Sequence, residues 1–214
     1  MAAMVSPEPA AVHSITVGPV RRQPVAPFWI AVSVIAAVLG SLAAWQIRSL
    51  GQQASGGQDL AYLATIVSAI IASGGQWLLL RRGRLDVYWW VPATVAADLI
   101  AAVVIAPSML NLLISRSTVP STGTAIFVGA MVLGVSGLVV GVAQALVLRR
   151  NTGQLAWIWI IATVLGGSLS GVFSTAFSSS LLTLPGIVAI SVASALSSFL
   201  TSASQTPILA RMLR

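Results

Sequence analysis

The stretch LAYLATIVSAIIASGGQWLLLRR, Leu60 to Arg82, opens with 21 uncharged residues, Leu60 to Leu80, and stops at a pair of arginines. As a helix rising 1.5 Å per residue, that run extends about 31 Å, the thickness of the hydrocarbon layer of a bilayer. Similar runs recur along the chain and predict six spanning helices, over 28–47, 60–80, 87–107, 124–148, 155–177 and 185–209. The connections 49–59, 108–123 and 178–184 are rich in Ser, Gly, Gln and Thr, as loops are. The fold class expected is an all-α, polytopic six-helix bundle forming a single transmembrane domain over 27–214. Residues 1–26 carry Pro7, Pro9, Pro19 and Pro24 with little apolar periodicity and read as a flexible tail.

Composition supports the membrane reading independently. Of 214 residues, 57% are hydrophobic and 7% charged, against about a quarter charged in soluble domains. Arg21-Arg22 before the apolar run Phe28 to Trp45 has the outline of an export signal, with Ser41, Ala43 and Ala44 as small cleavage-site residues. The run is longer than the roughly 7 to 15 residues of a signal core, so it reads as the first span.

The inventory removes most chemistry. The chain has no cysteine or lysine, one histidine (His13) and four acids, Glu8, Asp59, Asp86 and Asp98. Haem, zinc, copper and iron-sulfur sites need ligands that it does not supply, so no metal and no cofactor are expected. Serines and threonines have no second histidine, lysine or clustered carboxylate to activate them, so no catalytic residue is assigned and no enzyme is expected. No GxxxxGK[ST] loop occurs. A net charge of +7 could suggest nucleic acid, but the eleven arginines sit at span ends instead of forming a basic domain, and no nucleic-acid partner is expected.

Those arginines set the orientation. Arg21, Arg22, Arg81, Arg82, Arg84, Arg149, Arg150, Arg211 and Arg214 share one face, and only Arg48 and Arg116 lie on the other. The positive-inside rule puts the nine-arginine face, and both termini, in the cytoplasm. Trp29, Trp77, Trp89, Trp90, Trp157 and Trp159 fall near that face. Together with Arg81, Arg82, Arg149 and Arg150 they read as interfacial anchors, indoles being suited to the headgroup level. A lysine-free cation set is consistent with a GC-rich bacterial source and an inner-membrane location.

Self-comparison shows a repeat. Gln76-Trp77-Leu78-Leu79-Leu80-Arg81-Arg82 recurs 68 residues later as Gln144-Ala145-Leu146-Val147-Leu148-Arg149-Arg150. Trp90-Val91-Pro92-Ala93-Thr94-Val95 recurs as Trp159-Ile160-Ile161-Ala162-Thr163-Val164. The unit reads as a helical hairpin, spans two and three and then spans four and five, in parallel orientation. Arg21-Arg22 is spaced from Trp29 as Arg81-Arg82 is from Trp89 and Arg149-Arg150 is from Trp157, and Gln205 precedes Arg211. A third hairpin of spans six and one would complete a pseudo-threefold ring with the first and last spans adjacent.

Polar groups within the spans are the candidate site. Gln76, Gln144 and Gln205 lie at matching depth, where amides either clamp a neighbouring helix or converge on a polar ligand. Asp98 is the one acid inside a span, 12 residues after Asp86 and 9 before Pro107. An aspartate there costs about 2.5 to 3.5 kcal/mol on insertion scales and is a functional candidate by default. Its possible tasks are proton or cation coupling, an interhelical hydrogen bond, or contact with a partner or lipid. Gly137 and Gly141, Gly167 and Gly171, and the serine faces Ser170, Ser174, Ser178 and Ser194, Ser198, Ser202 read as helix-packing surfaces, within the chain or between copies.

The signature Gly75 to Arg82 followed by Trp89-Trp90 and Ala93-Thr94 resembles a repeat found in uncharacterised bacterial multi-pass membrane proteins. The resemblance covers about residues 70–175 and implies a topology, with no activity, substrate or site residue attached. The second copy departs from it in Ala145 for Trp77 and one additional loop residue. The favoured expectation is an accessory or assembly subunit of a larger membrane complex, surrounded by lipid and contacting partner subunits or further copies of itself. The alternative is a small transporter, or a substrate-binding membrane component, with a midplane site around Asp98. What separates them is whether Asp98 and the glutamines face one central cavity or point outward.

Overall fold

The structure, a computed structural model, describes residues 25–53, 57–83, 85–114, 121–181 and 183–212. Helices dominate: α1 (Val25–Gln53), α2 (Gly57–Arg82), α3 (Trp90–Ile100), α4 (Ala106–Ile114), α5 (Thr122–Thr152), α6 (Leu155–Ala176), α7 (Ser178–Leu181) and α8 (Gly186–Met212). A π-helical turn, Ala101–Ile105, joins α3 to α4 into one third span. Six spans are long and apolar enough to cross a membrane, and the chain is a multi-pass membrane protein. The tail with Arg21, Arg22 and His13, together with Arg84, Arg116 and Arg214, lies outside the described residues.

Each span packs on its neighbours in chain order, α1 on α2, α2 on α3, α3 on α5, α5 on α6 and α6 on α8, and contact between α8 and α1 closes the ring. Large apolar side chains such as Leu39, Leu63, Leu146, Ile161 and Phe199 are exposed on the outside, where apolar helices meet lipid. Inside, packing differs between the two halves. Trp29, Leu80, Val87, Trp90, Leu148, Trp159 and Leu209 form a dense cluster at the arginine-rich end. Toward the opposite end the interior residues are mainly Ala and Ser.

Several boundaries differ from the sequence reading. The third span begins at Trp90 and not at 87, because residues 85–89 form a turn in which the Leu85 N–H donates to Leu80 O (3.2 Å) and the Trp90 N–H to Val87 O (3.0 Å). Nor does it end at Pro107. Proline removes one helical N–H donor, and the chain accommodates it by widening: the Ala106 N–H reaches back five residues to Ala101 O, and the helix continues to Ile114. The last helix likewise runs through Pro207 to Met212. At the tight turn after α5, Gly153 takes φ +57° and its N–H caps Arg149 O, a backbone conformation that favours glycine.

Glycines are densest at the α5–α6 contact. A Cβ on Gly137 would stand 2.8 Å from Thr163 O, one on Gly167 2.5 Å from Leu133 O, and one on Gly171 would meet Gly129 O. Gly141 lies against Ile160 and Thr163 in the same seam. These backbones approach as closely as helices can. Gly137→Val and Gly171→Val should each lower the thermal unfolding midpoint in detergent, by the ~1–3 kcal/mol typical of overpacking. Gly74→Val, at a position with no atom within 4 Å of the added Cβ, should leave the midpoint nearly unchanged.

Candidate functional site

Three tryptophans close the arginine-rich end of the bundle. Trp29, Trp90 and Trp159 are each 0% exposed. Trp159 stands edge-on to the other two, with ring centroids 5.8 Å from Trp29 and 5.9 Å from Trp90. The expectation that Trp90 and Trp159 anchor the interface is therefore corrected, as it is for Trp29. Their neighbours do face outward: Trp89 is 67% and Trp157 50% exposed. Exposed Arg81 lies over the Trp77 ring and exposed Arg149 over that of Trp157, and Arg82 and Arg150 are exposed beside them.

Four residues after each buried tryptophan stands a hydroxyl, Ser33, Thr94 or Thr163, and four residues is the spacing that keeps two side chains on one helix face. Each hydroxyl accepts from a glutamine amide: Gln76 Nε2 to Ser33 Oγ at 3.3 Å, Gln144 Nε2 to Thr94 Oγ1 at 3.2 Å, and Gln205 Nε2 to Thr163 Oγ1 at 3.0 Å. Four residues after each glutamine comes a buried leucine, Leu80, Leu148 or Leu209. The contact thus occurs three times, on α1 with α2, α3 with α5, and α6 with α8.

These bonds tie each glutamine helix to the preceding span, while α8 also packs on α1. In the first span Trp29 matches Trp90 and Trp159, and not Trp89 and Trp157. One further bond is made only once, Trp159 Nε1 to Gln144 Oε1 at 2.9 Å. Its counterparts, Trp29 Nε1, Trp90 Nε1 and Gln205 Oε1, are buried without a partner.

Beyond this plug the interior opens. Two cavities of about 510 and 470 Å³ share Ser41, Ala72 and Asp98. Every span lines one or the other, through residues such as Ser41, Ala72, Asp98, Ser136, Ser174 and Ser198. Asp98 lies eight residues beyond Trp90, about 12 Å deeper along the helix axis. No described hydrogen bond or ion pair reaches its carboxylate. Arg48, at the opposite end of α1, lines the larger cavity's far end.

Of the three glutamines only Gln76 borders a cavity, while Gln144 and Gln205 are buried in their interhelical bonds. The serine faces serve both uses: Ser174, Ser194, Ser198 and Ser202 line the cavity, Ser194 Oγ also donates to Ser41 Oγ (2.7 Å), and Ser170 Oγ donates across the α6–α8 contact to Ser197 O (3.1 Å). Sequence reasoning missed the hydroxyl partners and the plug. The signal available was the thrice-repeated Trp-x3-Ser/Thr spacing beside the thrice-repeated Gln-x3-Leu. Among the described residues no group of acids and histidines could hold a metal ion.

Comparison with protein families, with characterised proteins and with solved structures gave no match. The glutamine contacts differ in how much they hold, because Gln144 makes two interhelical bonds and Gln76 one. At ~0.6 kcal/mol each, with up to ~2 in favourable cases, Gln144→Leu should cost about twice as much unfolding free energy in detergent as Gln76→Leu. Equal losses would show that the Trp159 to Gln144 bond adds nothing.

Proposed function

We propose that this chain is a small solute carrier, or the substrate-binding membrane component of one, that accepts a small cation in the central cavity around Asp98. The observation that carries the reading is the position of that carboxylate: the one acid inside a span lines the interior rather than the lipid face, unpaired, with hydroxyls around it. A charge is retained at that depth only where something offsets its cost. A dehydrating cation is offered one carboxylate and the oxygens of Ser41, Ser136, Ser174 and Ser198 in place of its water. The plug closes the cavity toward the arginine-rich end, which the positive-inside rule assigns to the cytoplasm of a bacterial cell. The cavity is then the compartment facing away from the cytoplasm. Passage would require the three tryptophans to separate.

The accessory-subunit reading draws less support. It drew on the lack of catalytic groups, the small size, the short loops and the small-residue faces, and of those faces the glycines of α5 and α6 pack within the chain. No catalytic step is assigned to Asp98, which has no second acid or base beside it.

The test is thermal unfolding of purified protein against a panel of sodium, potassium, ammonium, choline and a short polyamine. A ligand at one hundred times its dissociation constant stabilises by about 2.7 kcal/mol, which reads as a clear rise in midpoint. At least one cation should produce that rise in the wild type and none should do so in Asp98→Asn or in Ala72→Phe, which fills the space shared by both cavities. An unchanged midpoint with every cation, together with co-migration with larger subunits on native electrophoresis, would overturn the carrier reading in favour of the accessory one.

A further inference from the structure

A further cavity lies on the lipid side, separate from the two at the centre. Between α3 and α5, at the arginine-rich end, a groove of about 510 Å³ is walled by Ala93, Ala96, Ile100, Val139, Ala143 and Leu146. Its size falls within the ~300–1,000 Å³ of small-molecule sites. Its α3 wall is built of alanines, Ala93, Ala96 and Ala97, which stand opposite Val139, Ala143 and Leu146 of α5. The groove runs from hydrocarbon depth up to a polar end formed by Asp86, Tyr88, Trp89 and Arg150. Tyr88 and Trp89 are exposed, as aromatic side chains at the headgroup level are.

The two charges at that end are exposed and are not paired with each other. Asn151, next to Arg150, brackets the Asp86 backbone: its Nδ2 donates to Asp86 O at 2.8 Å and its Oδ1 accepts from the Asp86 N–H at 3.4 Å. This clamp ties the turn before α3 to the end of α5, and Asp86 and Arg150 line the one groove. No ion pair joins them among the described residues. An apolar slot ending in an unpaired carboxylate and an unpaired guanidinium matches a ligand with an acyl chain, a phosphate and a cation. A second protein helix in the slot would leave both charges without partners at the edge of the hydrocarbon.

We propose that this groove holds one phospholipid whose headgroup carries both a phosphate and a primary ammonium, the phosphate on Arg150 and the ammonium on Asp86. An ammonium with its three N–H donors can approach a carboxylate directly, whereas a trimethylated one offers no donor. A purely anionic headgroup would face Asp86 with a like charge. The site is independent of the central cavity and of what that cavity binds.

The experiment is native mass spectrometry of the full chain released from nanodiscs made with equal parts phosphatidylethanolamine, phosphatidylcholine and phosphatidylglycerol. The expected result is a one-to-one adduct enriched in phosphatidylethanolamine by about fivefold over the other two, the size of one interfacial charge contact. Asp86→Asn should bring phosphatidylethanolamine down to the phosphatidylcholine level. Arg150→Gln should lower retention of all three, and Ala143→Phe, which fills the groove, should abolish the adduct. Preferential retention of phosphatidylglycerol in the wild type would replace the proposal with an anionic-lipid site. Equal retention of the three lipids, or an adduct that survives Ala143→Phe, would show only the unselective lipid shell and overturn it.

Discussion

In hydrocarbon a primary amide has no water to bond, and it must find its partner within the protein. Gln76, Gln144 and Gln205 each do so by donating to a hydroxyl on the preceding helix. Such a bond is worth little as energy, but it fixes the rotation of both helices. With Gln and Leu four residues apart on one helix, and Trp and the hydroxyl four apart on the other, satisfying the amide turns both the leucine and the tryptophan toward the bundle axis. Made three times round a closed ring, the contact brings three tryptophans and three leucines together at one level. The dense end of the molecule follows from where three amides can be satisfied.

The opposite half follows from the same geometry by contrast. With the bulky side chains gathered at one end, the axis beyond them is lined by Ala and Ser, which leave space between six helices of full length. Glycine could have closed that space, but the glycines that meet a neighbouring helix lie in the contacts between adjacent spans, most of them in the α5–α6 seam. The third span remains the most loosely held, its contacts with α2 and α5 being the sparsest between neighbouring spans. It is also the span that carries Asp98 and, within one turn of it, the π-helical segment forced by Pro107. That wider turn sets Ala101, Ala102 and Ala106 on the cavity wall in line with Asp98. π-Turns of this kind recur at functional sites.

The spans and their number could be read directly from the run lengths, because the bilayer imposes a length that few other structures need. Asp98 and the three glutamines were legible for a related reason, being costly at their depth. The tryptophans were not. Indoles near a span end are usually interfacial, and in Trp89-Trp90 and Trp157-x-Trp159 one member faces out while the other faces in, a distinction that depends on helix rotation and not on depth. The match of Trp29 to Trp89 and Trp157 failed for the same reason. Arginine-to-tryptophan spacings measure distance along the membrane normal, whereas the Gln–hydroxyl bonds that join the units act round the ring. Nor could the groove at Asp86 and Arg150 be seen in sequence, since it depends on a clamp between residues 65 positions apart.

The three contacts are alike but not equally complete. Trp159, Gln144 and Thr94 form a continuous relay, while Trp29 Nε1, Trp90 Nε1 and Gln205 Oε1 are buried with nothing to bond. An unsatisfied buried donor or acceptor costs about 1–3 kcal/mol, so the plug stands in a less stable arrangement than three complete relays would give. That deficit lies between the cavity and the arginine-rich end, where a carrier has to open. A seal with every polar group satisfied would need several bonds broken at once before its helices could part. One closed relay leaves α1 and α3 held at this level by aromatic packing and a single glutamine bond each, and of the two α3 is the less enclosed by its neighbours. On the carrier reading, the span that bears Asp98 is therefore also the one whose plug residue is most easily withdrawn, so that occupancy of the cavity and opening of the plug act on the same helix.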